Sequence, residues 1–210
     1  MLPIISLSLY VSGAALIIAA LVGVPVGAGL ALRPVPGQRW IVLLIYTGMG
    51  LPPVVVGLFV YLLLSRSGPL GWLSWLFTPA AMIAAQTVIA LPLVIGLTMT
   101  AVEGVDPSLR LQLRALGAAP AQVMWTLLSE ARPGVLAAVI AAFGSIISEV
   151  GAVMLVGGNI EGSTRVLTTA IVLETRKGNF TLSLALGGVL LGLTFLSNVL
   201  LLRLGRGAGR

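Results

Sequence analysis

The chain has no cysteine and no histidine, and charged residues make up 9% of its 210 positions. Without cysteine there is no disulfide, no thiolate-bound zinc or iron–sulfur cluster and no thiol nucleophile. Without histidine the commonest general base and metal ligand are missing. The single lysine, Lys177, leaves few options for covalent catalysis. So little charge, against roughly 25% in an ordinary globular domain, is too sparse to cover a dissolved surface. What is present in its place is apolar: 58% hydrophobic residues and a mean hydropathy of +1.12.

The position of the charges decides the class. Residues 1–32, 40–65, 67–102, 133–148 and 178–202 carry none. A hydrocarbon core about 30 Å thick needs about 20 apolar helical residues. The sequence therefore predicts an all-α polytopic membrane protein, a single transmembrane domain over 1–210. Five spans are expected: Ser8–Leu32, Trp40–Leu64, Pro79–Val102, Pro133–Val156 and Thr181–Leu202. Met1–Tyr10 has no basic n-region and the first apolar run is long, so the start reads as a span rather than a signal peptide. Between Arg165 and Thr175 an apolar stretch of about ten residues is too short to cross. It reads as a re-entrant or interfacial segment within an external loop, 157–180.

A net charge of +6 would suggest nucleic acid in a soluble chain. Here the basic residues flank apolar spans, so they read as a topology signal, with no nucleic acid as partner. Arg33, Arg39, Arg110, Arg114, Arg132, Arg203, Arg206 and Arg210 fall on one side of a five-span chain. Arg66, Arg165, Arg176 and Lys177 fall on the other. The richer side is cytoplasmic by the positive-inside rule, which puts the N-terminus outside and the C-terminus inside. Pro25, Pro52, Pro53 and Pro92 lie inside spans and predict kinks, whether static or hinged. Gln86 and Thr87 read as interhelical hydrogen-bond partners. Ser6 lies just before the first span and Ser8 at its start, and neither calls for a function.

The longest polar excursion, 103–132, lies on the cytoplasmic side. Asp106 can cap a helix starting at Pro107, and Gly117 can end it. Ala118, Ala119 and Pro120 make a bend, and a second helix follows with Val123, Leu127 and Leu128 on one side. Two short amphipathic helices around a small-residue elbow can lie on lipid or dock into a cytoplasmic partner. Two further places hold polar groups. Glu149 is the one charge deep in the fourth span, about 20 Å from its inner end. A carboxylate there costs about 2.5–3.5 kcal/mol on insertion scales. It must face a cavity, pair or be protonated; the role expected of it is gate shaping or helix tethering, with Arg165 as candidate partner, and Ser145 four residues earlier shares its face. The loop VGGNIEGSTRVLTT offers Asn159, Thr164 and the Arg165 fork, either as an ordinary polar loop or as a vestibule for an oxyanion.

The segment around Ala115-Leu116-Gly117-Ala118 resembles the coupling loop, or EAA motif, of ABC-importer permeases. Gly117 matches its glycine, Ala115, Leu116 and Ala118 the neighbours, and Leu127 the apolar position ten residues on. The glutamate-alanine-alanine triplet is replaced by Leu111-Gln112-Leu113, and the usual proline by Glu130. GLPPVVVGLFVYLLLSRSGPLG (50–71) and ISEVGAVMLVGGNIEGSTRVLTTAIVLETRKGNF (147–180) are similar to tungstate-importer permeases, relatives of molybdate and sulfate permeases. The resemblance implies a type I importer in a prokaryotic inner membrane. Its expected partners are a second copy of the chain, two cytoplasmic ABC ATPases and an extracytoplasmic oxyanion-binding protein. It implies an ATPase-coupling set of Arg114, Ala115, Leu116, Gly117, Ala118, Ala119 and Pro120. A translocation set of Ser145, Glu149, Asn159, Thr164 and Arg165 is expected with it. No GxxxxGK[ST] phosphate loop is present, so ATP and magnesium belong to the ATPase and no cofactor is expected on this chain. The competing expectation is an ATP-independent secondary transporter or channel.

Overall fold

The computed structural model describes residues 1–207, so Arg210 of the basic tail lies outside the described residues. All regular structure among them is helical. The helices are α1 (Leu2–Leu32), α2 (Gln38–Met49), α3 (Pro53–Leu64), α4 (Pro79–Glu103), α5 (Pro107–Ala115), α6 (Pro120–Glu130), α7 (Arg132–Ile147), α8 (Gly151–Gly157), α9 (Leu167–Arg176) and α10 (Phe180–Gly207). Three of them, α1, α4 and Phe180–Leu200 of α10, are long and apolar enough to cross a bilayer singly.

α4 is the centre, packing against α1, α2, α3, α7 and α8. Its tightest neighbour is α1, and small side chains set that closeness. Ala15, Ala19, Gly23 and Gly27 recur every fourth residue and are all buried. A Cβ on Gly27 would meet the Ile95 carbonyl oxygen at 2.5 Å, and one on Gly23 would meet Val94 Cγ1 at 2.8 Å. Lipid offers no hydrophobic incentive to bring helices together, so close van der Waals approach between small residues does it. Pro25 and Pro92 lie inside α1 and α4 without ending them.

Two expected spans are not continuous. The second breaks at Gly50–Pro52, where α2 and α3 meet at 105°. Pro52 and Pro53 supply no N–H, and the residue before a proline avoids the helical region, so the chain restarts in a new direction. The fourth ends at Ile147, and the chain resumes as α8 after Ser148, Glu149 and Val150. At its other end α7 meets α6 at 71°, about Ala131. The first span starts at Leu2 instead of Ser8. α9 is ten residues long and its first four are buried.

Candidate functional site

The elbow between α5 and α6 is built by local chemistry. Asp106 Oδ1 accepts from the Ser108 N–H at 2.8 Å, and Pro107 occupies the first turn, where its missing N–H costs nothing. Those bonds hold the Asp106 carboxyl below its usual pKa, the Ser108 backbone donor contributing most. At the other end Gly117 N–H donates to Arg114 O and Ala118 N–H to Leu113 O, both at 3.0 Å, with Gly117 at φ +77°. This paired closure with a left-handed residue is a Schellman cap, and glycine adopts that φ without a Cβ penalty. The Gln122 side chain then accepts from the Ala119 N–H at 2.7 Å to start α6. Arg114, Ala115, Leu116, Gly117, Ala119 and Pro120 are exposed, and Ala118 is half-buried. Leu116 is 84% exposed, with Leu111 and Trp125 also projecting. Below them Val123, Leu127 and Leu128 are buried and hold the elbow to the body.

Arg110 anchors this unit in a way its sequence neighbourhood does not reveal. Its Nη2 donates to the Leu32 carbonyl at the C-terminus of α1. Gln38 Nε2 donates to Leu30 O at 2.9 Å. These donors satisfy carbonyls that a helix end leaves unpaired, and the cation suits the negative end of the helix dipole. The elbow therefore sits at the same end of the molecule as Arg33.

The two breaks meet in the body of the protein. A Cβ on Gly57 would come within 2.5 Å of Ala152 Cα, and one on Gly151 within 2.5 Å of Val54 Cγ2. The backbones of α3 and α8 thus touch just beyond their N-termini. Three side chains pair the polar groups that the fourth-span break exposes. Gln86 Nε2 donates to Ile146 O at 2.8 Å, Thr168 Oγ1 donates to Glu149 O at 3.0 Å, and Glu149 Oε1 accepts from Ala152 N–H at 2.9 Å. Backbone at membrane depth tolerates irregularity only where such partners exist. Gln86 makes the interhelical bond expected of it, whereas Thr87 Oγ1 is buried without a partner. Glu149 is half-buried and spends one oxygen capping α8. The break removes the helical spacing that would put Ser145 on its face. Arg165 does not reach Glu149 either: it pairs with Glu161 at 3.1 Å, a partly exposed contact of small worth. Ala137 and Ala141 of α7 and Ser148 at its C-terminal cap are small and exposed, and Ser145 is half-buried.

The polar loop after α8 lies at the opposite end from the elbow. Thr164 is fully buried, donating to Gly157 O at 2.5 Å and accepting from Ile160 N–H at 2.9 Å. Its hydroxyl closes the loop, so it is not a free donor for a passing anion. Asn159 takes a left-handed φ of +52°, and its Oδ1 is buried without a partner. Arg165 lines a cavity of about 350 Å³ with Ser6, Tyr10 and Ser163. Ser8 proves structural: it is buried in α1, and its Oγ accepts from Leu167 N–H at 2.8 Å, capping α9. Of the residues expected to act in translocation, Asn159, Thr164 and Arg165 therefore lie at the end opposite the elbow, and Ser145 and Glu149 lie between the two ends. α7, 16 residues long, spans about 24 Å of that separation.

A helical body with apolar spans, two of them broken, and an exposed apolar elbow at one end defines a multi-pass helical membrane protein. The model of the family described as "Binding-protein-dependent transport system inner membrane component" matches residues 23–210, and the chain belongs to that family. It is 45% identical over 205 residues to a probable anion ABC transporter permease of Haloferax volcanii, covering 95% of this chain and 88% of that one. It is 40% identical to the tungstate uptake system permease TupB of Peptoclostridium acidaminophilum over 198 residues, 94% of this chain and 87% of that one. The molybdenum transport permease ModB of Escherichia coli is 30% identical over 173 residues, 79% and 76% of the two chains. The fold matches a chain of the MetNI methionine ABC transporter, solved in inward-facing conformations, with a TM-score of 0.79 at 21% identity over 97% of this chain and 94% of that one. The chain is thus an ABC-type permease of an inner membrane with several spans.

Proposed function

We propose that this chain is the membrane-spanning, non-catalytic subunit of an ABC importer for a tetrahedral oxyanion, most specifically tungstate. Two copies form the path, and each carries one cytoplasmic ATPase on its elbow. ATP and magnesium are handled by that partner, and a binding protein outside delivers the anion. The observation that carries this reading is the elbow itself. Leu116 projects from a rigidly capped turn and Trp125 from α6 beyond it, and Val123, Leu127 and Leu128 root the unit in the body. An apolar knob of this kind suits a groove in a partner protein. Relatives named for tungstate and for anions support the substrate class. The small, exposed Ala137, Ala141 and Ser148 supply close-packing surface for a second copy or for the path.

Movement follows from this architecture. Closure of the ATPases draws the elbows together, and the rigid caps pass the displacement through Arg110 to α1 and through Ala131 to α7. The breaks at Gly50–Pro52 and Ser148–Val150 are the places where short helices can rotate without breaking internal hydrogen bonds. Purification of the chain from native membranes tests the reading. A stoichiometric ATPase is expected to accompany wild type and to be lost from Gly117→Val, whose β-branched side chain cannot hold φ +77°. Gly117→Asn, which tolerates that conformation, keeps the partner. A chain that purifies alone and moves tungstate in liposomes without ATP overturns the proposal.

A further inference from the structure

One cavity shares Arg110 and Arg114 with the elbow, but what would fill it does not depend on the proposed function. A space of about 470 Å³ lies between the C-terminal half of α1 and the elbow. Pro25, Gly29 and Met124 form its apolar wall, and Arg33, Arg110 and Arg114 its cationic part. No carboxylate lines it. Asp106 and Glu130 face a different cavity. The ion pairs among the described residues are Arg165–Glu161 and Lys177–Glu174, so all three arginines lack one. Arg110 gives Nη2 to Leu32 O, but its Nε is buried with no acceptor. The Leu30 and Leu32 carbonyls are already covered by Gln38 and Arg110, so the helix end does not oppose an anion with bare oxygens. Three unpaired cations around one space repel each other until an anion enters.

Depth identifies the anion. Pro25 precedes Leu32 by two turns, so the cavity reaches about 10 Å from the end of α1 into its apolar length. A small hydrated ion gains nothing from that wall, whereas an acyl chain does. We infer that this cavity binds an anionic phospholipid, its phosphate between Arg33, Arg110 and Arg114 and a tail along Pro25 and Gly29. Arginine forks match phosphate oxygens, and basic pockets beside spans recognise such headgroups. Native mass spectrometry of the full chain, with phosphatidylglycerol and phosphatidylcholine of matched acyl chains, tests it. One phosphatidylglycerol per chain is expected at lipid levels where phosphatidylcholine is not retained. Arg33→Gln with Arg114→Gln weakens that retention by roughly tenfold or more. Gly29→Leu weakens it without touching charge, since a Cβ at Gly29 meets nothing within 4 Å and the side chain can fill the space. An unchanged thermal melt for Gly29→Leu shows the helix intact. Equal retention of both lipids, or retention unmoved by either variant, overturns the inference. Displacement by excess inorganic phosphate overturns it too, and makes the cavity a free-anion site.

Discussion

At the scale of single residues, Glu149 separates capping from charge. Its carboxylate accepts from Ala152 N–H, and its carbonyl holds Thr168. Capping needs an acceptor and not a charge, so Glu149→Gln keeps transport near wild type. Glu149→Ala removes the acceptor, at a cost typical of a lost cap, about 0.5–2 kcal/mol. It lowers uptake severalfold while the subunit still assembles. Uptake of labelled tungstate, the substrate proposed above, with size-exclusion of the purified subunit, reads both variants. If the Gln variant fails as badly as the Ala variant, the negative charge itself acts in the path. Asp106 gives the pH-dependent counterpart. Its folded pKa lies below 3.8, so its cap contributes fully above the unfolded value and is lost as pH falls through the folded one. A carboxyl-carbon titration places its midpoint below 3.8, and Ser108→Pro, which removes the leading donor, moves it back towards 3.8.

At the scale of elements, the crossing of α1 on α4 is set by glycines with unequal duties. Gly27→Ala forces a Cβ to within 2.5 Å of the Ile95 carbonyl oxygen. The helices must part, at a cost of about 1–3 kcal/mol. Gly13→Ala in the same helix meets nothing within 4 Å and gains helix propensity, stabilising by about 0.5–1 kcal/mol. Thermal unfolding in one detergent reads the opposite signs. Much at this scale was legible in the sequence. Charge-free runs located the spans, and Asp106, Pro107, Gly117 and Pro120 located both elbow helices, because each acts on its own neighbours. The break at Gly50–Pro52 carried a local signal too, but proline announces a bend without its size. The break at Glu149 carried none. It exists because Gln86 and Thr168, 60 residues before Ile146 and 19 after Glu149, bring partners to the freed backbone. The structural role of Ser8 was invisible for the same reason: its partner, Leu167, is 159 residues away. Thr164 looked like a free donor because its closing bonds depend on a loop fold that spacing does not describe.

At the scale of the whole molecule, the two candidate sites lie at opposite ends, so one labelling experiment tests the orientation that the mechanism needs. Arg110 fastens the elbow to the C-terminus of α1, and Ser8 fastens α9 near its N-terminus. α1 has 31 residues and is about 46 Å long, more than a hydrocarbon core. The elbow and the loop after α8 must therefore face different compartments if α1 crosses. By the positive-inside rule, the basic residues beside the elbow make the cytoplasm its expected side. Because the chain has no cysteine, a single introduced thiol reports without background. A cysteine at exposed Leu116 is expected to resist an impermeant maleimide in intact cells and to react in inverted vesicles. One at exposed Ser163 is expected to do the reverse. Bound ATPase should further shield the Leu116 position in inverted vesicles and leave Ser163 unchanged. Labelling of Leu116 from outside would put the elbow beyond the reach of any nucleotide-driven partner, and the importer mechanism would fail with the fold intact.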